Sequence, residues 1–494
     1  MSDAPRVLFV TPELAPWAKA GGLGEVSRDL PRALAEAGAD VRVLVPAYPA
    51  LRSAFPAARE IARIEAPGGT LAPARLLDAG ARPALYLLDC ESTFARTGGP
   101  YGGAEGADWP DNHLRFGLLS RVAALLGGAS SPLAWRPDIV HCNDWPAGLA
   151  PAWLAHATGG AATVTTVHNL AYQGIFPADT LEQLGLPPAT FAAEGLEYHG
   201  KLSFLKAGLH FATKLSTVSP AYAREIQRPD LGFGLDGLLA RRAADLTGIL
   251  NGIDTRTWDP ARDPHLVQRY DAMRLEAKRP NKTALQHELG FPPVGEAPLI
   301  GMVGRLVEQK GVDLVAAIAA DLAGAGVQLA ILGSGARKIE NTLRELARRH
   351  PRSIAVRIEF SEPLAHRIEA GADIFLMPSR FEPCGLNQLY SMRYGTPPLV
   401  RRTGGLADSV LDATRENLRD GRATGFVFEE ATPQALRAAI ERALAALRDP
   451  PLWAGLQRAG MARDFGWSGA ARDYLALYRG AGRARTNRDR LTTG

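Results

Sequence analysis

Two glycine pairs, each placed where an apolar run hands over to a helical pattern, constrain the architecture of this chain more than any other feature. The first, Lys19-Ala20-Gly21-Gly22-Leu23, follows Val7-Leu8-Phe9-Val10 and opens a segment whose Leu23, Val26, Leu30 and Leu34 share one helical face, closed by Gly38. A strand pattern, Val41-Arg42-Val43-Leu44-Val45, then returns. The second pair, Thr403-Gly404-Gly405-Leu406, has the same setting near the other end. A helix N-terminus approached through glycines presents unpaired N–H groups at its positive dipole end, so a phosphate or a sugar hydroxyl can come close. Gly-Gly in such a loop also serves plain turn geometry. Two nucleotide-binding halves facing one cleft are therefore expected only if the rest of the chain agrees.

It repeats strand, loop and helix throughout. Asp138-Ile139-Val140-His141, Thr163 to His168 and Leu215-Ser216-Thr217-Val218 are short runs ending in polar residues, and Ser219-Pro220 suits the cap and first turn of a following helix. Leu299 to Val303, Leu329 to Leu332, Ile374 to Met377 and Pro398 to Val400 continue the arrangement. Continuous apolar strands alternating with amphipathic helices imply parallel sheets covered on both faces, an α/β class. Turn residues cluster from Asn251 through Pro264, the expected domain crossing. The last helical stretch, about Met461 to Tyr478, fits either closure of the second domain or a return to the first.

With 494 residues, 46% of them hydrophobic, the chain can bury two or three full cores. No long apolar run or signal region is seen, so the cytoplasm is expected and a membrane is not. Cys90, Cys142 and Cys384 are too scattered for a disulfide framework or zinc site and read as reduced thiols. The net charge of +4 is matched by the tail from Arg479 onward, which holds five arginines and one aspartate. A solvated, disordered tail over 481–494 without nucleic-acid binding is expected, and its removal should change neither activity nor thermal midpoint. Only eight lysines occur, so Lys19 and Lys310 stand out.

The densest chemistry of the second half is Gly304-Arg305-Leu306 with Gln309-Lys310-Gly311, two cations in one strand-to-helix loop. Arginine offers a planar fork and lysine a mobile point charge, a combination suited to a diphosphate leaving group. At the next strand end, Glu382 lies between Phe381 and Pro383 in Ser379 to Leu386, able either to meet a sugar or to cap the helix that follows. Cys384 reads as a packed small residue. In the first half His141, Asn143 and Asp144 end one strand and His168 and Asn169 another, with Trp145, Tyr172 and Tyr101 near in sequence. Polar edges beside apolar ring faces suit a polyhydroxylated ligand, although each histidine or aromatic can equally be structural. There is no Asp-x-Asp, His-Glu-x-x-His, Cys-x-x-Cys, P-loop or Gly-x-Ser-x-Gly. A metal is therefore not expected, and the usual ATPase and hydrolase readings fall away, leaving transfer from a nucleotide-linked donor.

These motifs, in this order and over nearly the whole chain, resemble the bacterial glycogen synthases and plant starch synthases, retaining glucosyltransferases of the two-Rossmann-domain GT-B architecture. His141-Cys142-Asn143-Asp144-Trp145, Thr166 to Gly174, Ser379 to Leu386 and Arg401 to Asp408 carry the likeness together with the two loops above. The resemblance implies transfer of glucose from ADP-glucose to the non-reducing 4-hydroxyl of a glycogen or α-1,4-glucan primer, with no metal or other cofactor. It implies donor-site roles for Lys19, Gly21, Gly22, Asn251, Thr403, Gly404 and Gly405, a diphosphate clamp of Arg305 and Lys310, and Glu382 as the acid beside the donor glucose. His168 is similar to the residue at the reacting sugar, and Glu13, Tyr101, Asp144 and Asn169 to glucan or glucose contacts.

The implied domains are 1–250 on the acceptor side, 251–459 on the nucleotide-sugar side, and a helix over 460–480 returning to the first. The chain departs from the family at Glu25, commonly Asp, and at Pro146, commonly His. Related transferases often carry a second glutamate eight residues after the first, where this chain has Tyr390. Phe360 is a candidate wall beside adenine, with a core role as the alternative. Two other readings predict different behaviour: a UDP-sugar transferase or nucleotide-sugar epimerase keeps the architecture, and a glucan-binding protein without catalysis would have a broken clamp or acid.

Overall fold

The computed structural model describes residues 4–65, 68–103, 107–157, 159–292 and 297–492, with side chains to residue 486. The chain divides into two compact units, Met1–Gly252 with Trp467–Gly494, and Ile253–Gly466.

In the first unit nine strands form one sheet. In chain order they are β1 (Arg6–Val10), β2 (Asp40–Pro46), β3 (Arg59–Ile64), β4 (Ala74–Asp78), β5 (Ala84–Asp89), β6 (Ile139–Asn143), β7 (Ala162–Val167) and, after a small antiparallel sheet of β8 (Ile175–Pro177), β9 (Glu197–Tyr198) and β10 (Lys201–Ser203), β11 (Lys214–Thr217) and β12 (Leu246–Gly248). The spatial order is β12-β11-β7-β6-β1-β2-β5-β4-β3, parallel except at the β3–β4–β5 arm. The run Val7–Val10 is fully buried because β1 lies at the centre of the sheet, between β2 and β6. There the winding reverses, so the loops leaving β1 and β6 open side by side at the strand C-terminal ends.

The second unit repeats the plan with six parallel strands: β13 (Leu299–Val303), β14 (Gln328–Leu332), β15 (Ile354–Arg357), β16 (Ile374–Met377), β17 (Pro398–Arg401) and β18 (Phe426–Phe428), ordered β15-β14-β13-β16-β17-β18. Its reversal falls between β13 and β16, which places the loops after Val303 and Met377 together. Separate apolar clusters cover the sheet, one with Ile318, Leu322 and Leu436, the other with Leu364, Ile368 and Leu389.

The final helix, Trp467–Thr492, belongs to the first unit. Its Tyr474, Tyr478 and Ala481 are buried in the core of that unit, and the Tyr478 hydroxyl lies 2.7 Å from His141 Nδ1. The expected disordered tail from 481 is corrected: the helix runs on to Thr492. Ala481 is fully buried, and Arg485 donates to the carbonyl of Ala157 at 2.9 Å, which anchors a turn that composition alone reads as solvated.

Candidate functional site

The glycine loop after β1 is organised from beneath by a carboxylate. Glu13 is buried, and its Oε2 accepts the backbone N–H groups of Ala20 at 2.8 Å and Gly21 at 3.2 Å, while its Oε1 accepts the Tyr101 hydroxyl at 2.8 Å. Burial, with Glu13 and Asp144 nearby, raises the Tyr101 hydroxyl well above its ordinary pKa, so it donates throughout the neutral range. Gly22 precedes the helix Leu23–Glu36 without a side-chain cap. Lys19 forms an ion pair with Glu25, the residue that departs from the family pattern, and burial raises the Glu25 carboxyl pKa despite that partner. The Glu25 Oε2 is buried with no partner. Gly24, which sequence reasoning passed over, gives the Lys19 stem its place: an added Cβ would lie 3.1 Å from Lys19 Cγ.

Asp144 and His168 meet at the ends of β6 and β7. The His168 backbone N–H donates to Asp144 Oδ1 at 2.7 Å, and Asp144 adopts φ of 54° to present that carboxylate. Burial pushes the Asp144 carboxyl up to about 7, against backbone hydrogen bonds from His168 and Asn169 that pull it down. Burial pushes His168 down to about 3, which keeps the ring neutral. Its tautomer follows from its neighbour. Asn143 Nδ2 donates to the Val10 carbonyl at 2.9 Å, so Asn143 Oδ1 faces His168 Nε2 at 3.0 Å and must accept from it. His168 Nδ1 is then left as an acceptor. Asn169 turns the chain, its Oδ1 accepting the Ala171 N–H at 3.1 Å.

Two candidates of the first half are structural. His141 is fully buried inside β6, bonded to Tyr478 and, at 2.6 Å, to Thr166 Oγ1, and burial lowers it to about 3. Trp145 packs with its ring centroid 4.8 Å from Phe116 and 5.8 Å from Phe176, a core residue. Asn251 is buried, and its Oδ1 has no partner.

In the second unit the two loops at the reversal are joined through Glu382, which is 5% exposed. Its Oε2 accepts the Lys310 ammonium at 2.5 Å and the Ser379 hydroxyl at 3.0 Å. Around that pair Gln309 Nε2 donates to the Phe381 carbonyl at 3.2 Å, and Arg380 forks onto Asp313 with both contacts at 2.7 Å. Gln309 and Asp313 are supports that motif reading gave no role, since partners some seventy residues apart leave no local signal, and Ser379, three residues from Glu382, is a third. Arg305 is exposed on the same loop as Lys310.

The second glycine pair is a close-approach device. Gly404 has φ of 43°, and a Cβ there would collide with the Glu382 carbonyl oxygen; at Gly405 it would collide with that of Cys384. The Gly405 N–H donates to the Glu382 carbonyl at 3.1 Å, and Thr403 is buried just ahead of the helix Gly404–Ser409. The pair thus seats the backbone that carries the acid. Cys384 is buried, as read. Tyr390 stacks on Trp258 at 3.8 Å, which stacks on His366 at 3.8 Å, so the position of a second glutamate is filled by core. Phe360 is 76% exposed, which removes its core alternative. Among the described residues no group of three His, Cys, Asp or Glu is placed to hold a metal, and no helix is long and apolar enough to cross a membrane.

Comparison with known proteins adds relatives over the full length. Residues 6–241 match the family described as starch synthase catalytic domain, and residues 290–449 match glycosyl transferases group 1. A glycogen synthase of Dechloromonas aromatica is 56% identical over 476 residues, covering 96% of this chain and 98% of that protein. One of Aromatoleum aromaticum is 57% identical over 477 residues, 96% of each. Among solved structures the catalytic domain of starch synthase IV from Arabidopsis thaliana, bound to ADP and acarbose, superposes with a TM-score of 0.86 at 31% identity, over 97% of this chain and 99% of that one. A sucrose-phosphate synthase of Thermosynechococcus elongatus, at 19% identity and a TM-score of 0.58, shares the fold.

Proposed function

The chain belongs to the glycogen synthase and starch synthase family of GT-B hexosyltransferases, and from that premise we propose that it transfers glucose from ADP-glucose to the non-reducing 4-hydroxyl of an α-1,4-glucan, in the cytoplasm, with retention of configuration and no metal ion. The observation that carries the reading is the Lys310–Glu382–Ser379 cluster at the winding reversal of the second unit, with Arg305 exposed on the same loop. Negative charge on a departing diphosphate grows toward the transition state, and preorganised cations stabilise it without the metal that other transferases recruit. Arg305 and Lys310 are assigned that task. Held to Glu382, Lys310 spends little entropy on being positioned.

Glu382, Gly404 and Gly405 are assigned to the donor sugar and its diphosphate, the carboxylate facing positive charge on the sugar as the bond to the leaving oxygen stretches. Thr403 lends its backbone. Lys19 brings a further cation, Gly21 and Gly22 lead into a helix N-terminus that has no side-chain cap, and Asn251 brings a buried oxygen awaiting a donor. Glu13 and Tyr101 hold the Lys19 loop in shape, so their glucan role is carried through that loop. Neutral His168 accepts a sugar hydroxyl at Nδ1, oriented by Asn143, while Asp144 and Asn169 complete the polar wall. Retention follows from same-face displacement: the bond from the anomeric carbon to the diphosphate oxygen breaks, the acceptor 4-hydroxyl oxygen bonds to that carbon on the same face, and the leaving diphosphate oxygen takes the hydroxyl proton. Phe360 is assigned to adenine, since an exposed aromatic before the helix Glu362–Gly371 presents a face for a base.

Both ADP-glucose and UDP-glucose carry the same diphosphate, so the base pocket must select between them. Labelled glucose from the two donors, offered to glycogen in the presence of excess chelator, tests the assignment. Incorporation from ADP-glucose at the unchelated rate is expected; preference for UDP-glucose, or a rate restored only by a divalent ion, overturns it.

A further inference from the structure

We propose that Asn112, clamped by the buried guanidinium of Arg115, is a positioning residue for the first glycine loop: it sets Tyr101 so that Glu13 holds the Ala20 and Gly21 N–H groups in place, an assignment that rests on the transfer reading above. Asn112 opens the helix Asn112–Gly127 and is 3% exposed, and Arg115, three residues on, is 1% exposed. Both act on the loop through intermediates.

The Arg115 charge is met by neutral oxygens. Its Nε donates to the Thr93 carbonyl at 3.1 Å, and its Nη1 to the Pro100 carbonyl at 2.8 Å and to Asn112 Oδ1 at 2.6 Å. The rings of Phe116 and Phe94 lie 5.2 Å and 5.7 Å from the guanidinium carbon. Burying a charge costs free energy that an apolar side chain of similar volume does not, whereas a planar fork fixes the direction of its acceptors. The guanidinium therefore specifies geometry. With Oδ1 engaged by Arg115, the Asn112 amide has one orientation, and its Nδ2 donates to the Tyr101 carbonyl at 2.8 Å. The Trp109 N–H reaches the same carbonyl at 2.9 Å, so both of its lone pairs are occupied.

From Tyr101 the connection continues to the loop. The hydroxyl donates to Glu13 Oε1 at 2.8 Å, and the other oxygen of that carboxylate accepts the Ala20 and Gly21 N–H groups at 2.8 Å and 3.2 Å. An unbroken chain of hydrogen bonds thus leads from the helix start to the backbone of the glycine pair, and away from bulk water such bonds strengthen one another. Displacing the Tyr101 backbone swings its hydroxyl off Glu13 and leaves the carboxylate free to turn from the loop. A misplacement of about 1 Å at a substrate-positioning group can cost on the order of 10²-fold in rate.

Asn112→Asp in the full chain separates this role from a merely structural one. The new carboxylate keeps the Arg115 contact, and an acid in the first turn of a helix is favoured by the dipole, so the thermal midpoint is expected within about 3 °C of the parent. What it loses is the donor to Tyr101, where an oxygen now faces the carbonyl. The kcat/KM for ADP-glucose at saturating glycogen is expected to fall about tenfold in Asn112→Asp and by a similar factor in Tyr101→Phe, with the double variant within about threefold of the less active single one, since both changes break one path. A fall of less than about threefold in Asn112→Asp, factors that multiply in the double variant, or a thermal midpoint lowered by more than about 3 °C overturns the assignment. Hydrogen exchange at the Ala20 and Gly21 amides reads the link without substrate, and exchange about fivefold faster than in the parent is expected in both single variants. If the parent transfers glucose from neither donor, that faster exchange keeps the positioning role and ends the transfer reading, whereas unchanged exchange ends the positioning role.

Discussion

Removing the Lys310 side chain leaves the Glu382 carboxylate buried with the Ser379 hydroxyl as its remaining side-chain partner within the cluster. Breaking a buried ion pair from one side costs about 3–5 kcal/mol, because the surviving charge is uncompensated. The Lys310 side chain is 21% exposed against 6% for that of Glu382, so water partly replaces the ammonium and about 2–3 kcal/mol is expected for Lys310→Ala. In a Glu382→Gln background no charge is stranded. There the same truncation removes one hydrogen bond, about 0.5–1.5 kcal/mol. The two substitutions should therefore couple by about 1–2 kcal/mol, measured by urea unfolding with tryptophan fluorescence on the transition that Lys310→Ala displaces. The transfer rate should fall on the order of 10²–10³-fold in Lys310→Ala, more in kcat than in donor KM, since charge on the leaving phosphate is greatest in the transition state. Stability effects that add to within about 0.5 kcal/mol, with turnover near parental, would refute the pairing and its catalytic use together.

Gly404→Ala should cost more than about 3 kcal/mol and at least tenfold in rate, because a strained φ is joined by collision with the Glu382 carbonyl; Gly421→Ala, with φ of 64° but open space, should cost about 1 kcal/mol and leave the rate alone. Burial pushes the Lys278 ammonium down to about 7. Between that value and the ordinary lysine range the unfolded chain binds the extra proton, so unfolding free energy should rise with pH, by on the order of 3 kcal/mol from about pH 7 to 9.5, and Lys278→Met should flatten that rise in pH-dependent denaturation. Deleting 481–494 removes a buried alanine and the Arg485 anchor, and a fall in thermal midpoint of about 2–5 °C is expected by calorimetry.

Strands β1, β2, β6, β7, β11, β13, β14, β16 and β17 were legible to within one or two residues because buried parallel strands read as continuous apolar runs, whereas β5, β12, β15 and β18 were not singled out. The β3–β4 arm was not, since Arg59–Ile64 is mostly exposed at the sheet edge and charged along its length. Both glycine pairs announced themselves through a steric demand that no other residue meets. His141 and His168 gave the same local signal, a histidine near the end of a β-branched run. What separates them is tertiary: His141 faces Tyr478, 337 residues away, and His168 faces Asn143. Lys310 and Glu382 were legible as separate groups, but a contact across 72 residues is created by the winding of the sheet and by no motif. The reading of the tail failed on composition. Its arginines mask the Tyr474, Tyr478, Ala481 spacing of four and three that continues the buried face of the last helix.

The central claim is a glucose transfer that keeps the α configuration and forms a 1,4 linkage. Proton NMR of maltoheptaose incubated with ADP-glucose and the protein reads both at once, from the anomeric couplings and shifts of the new residues. Growth of internal α-1,4 anomeric signals matched to ADP release is expected from the first turnover, and loss of that growth in Arg305→Ala. A β-anomeric product, a linkage other than 1,4, or ADP release without chain growth would contradict the account.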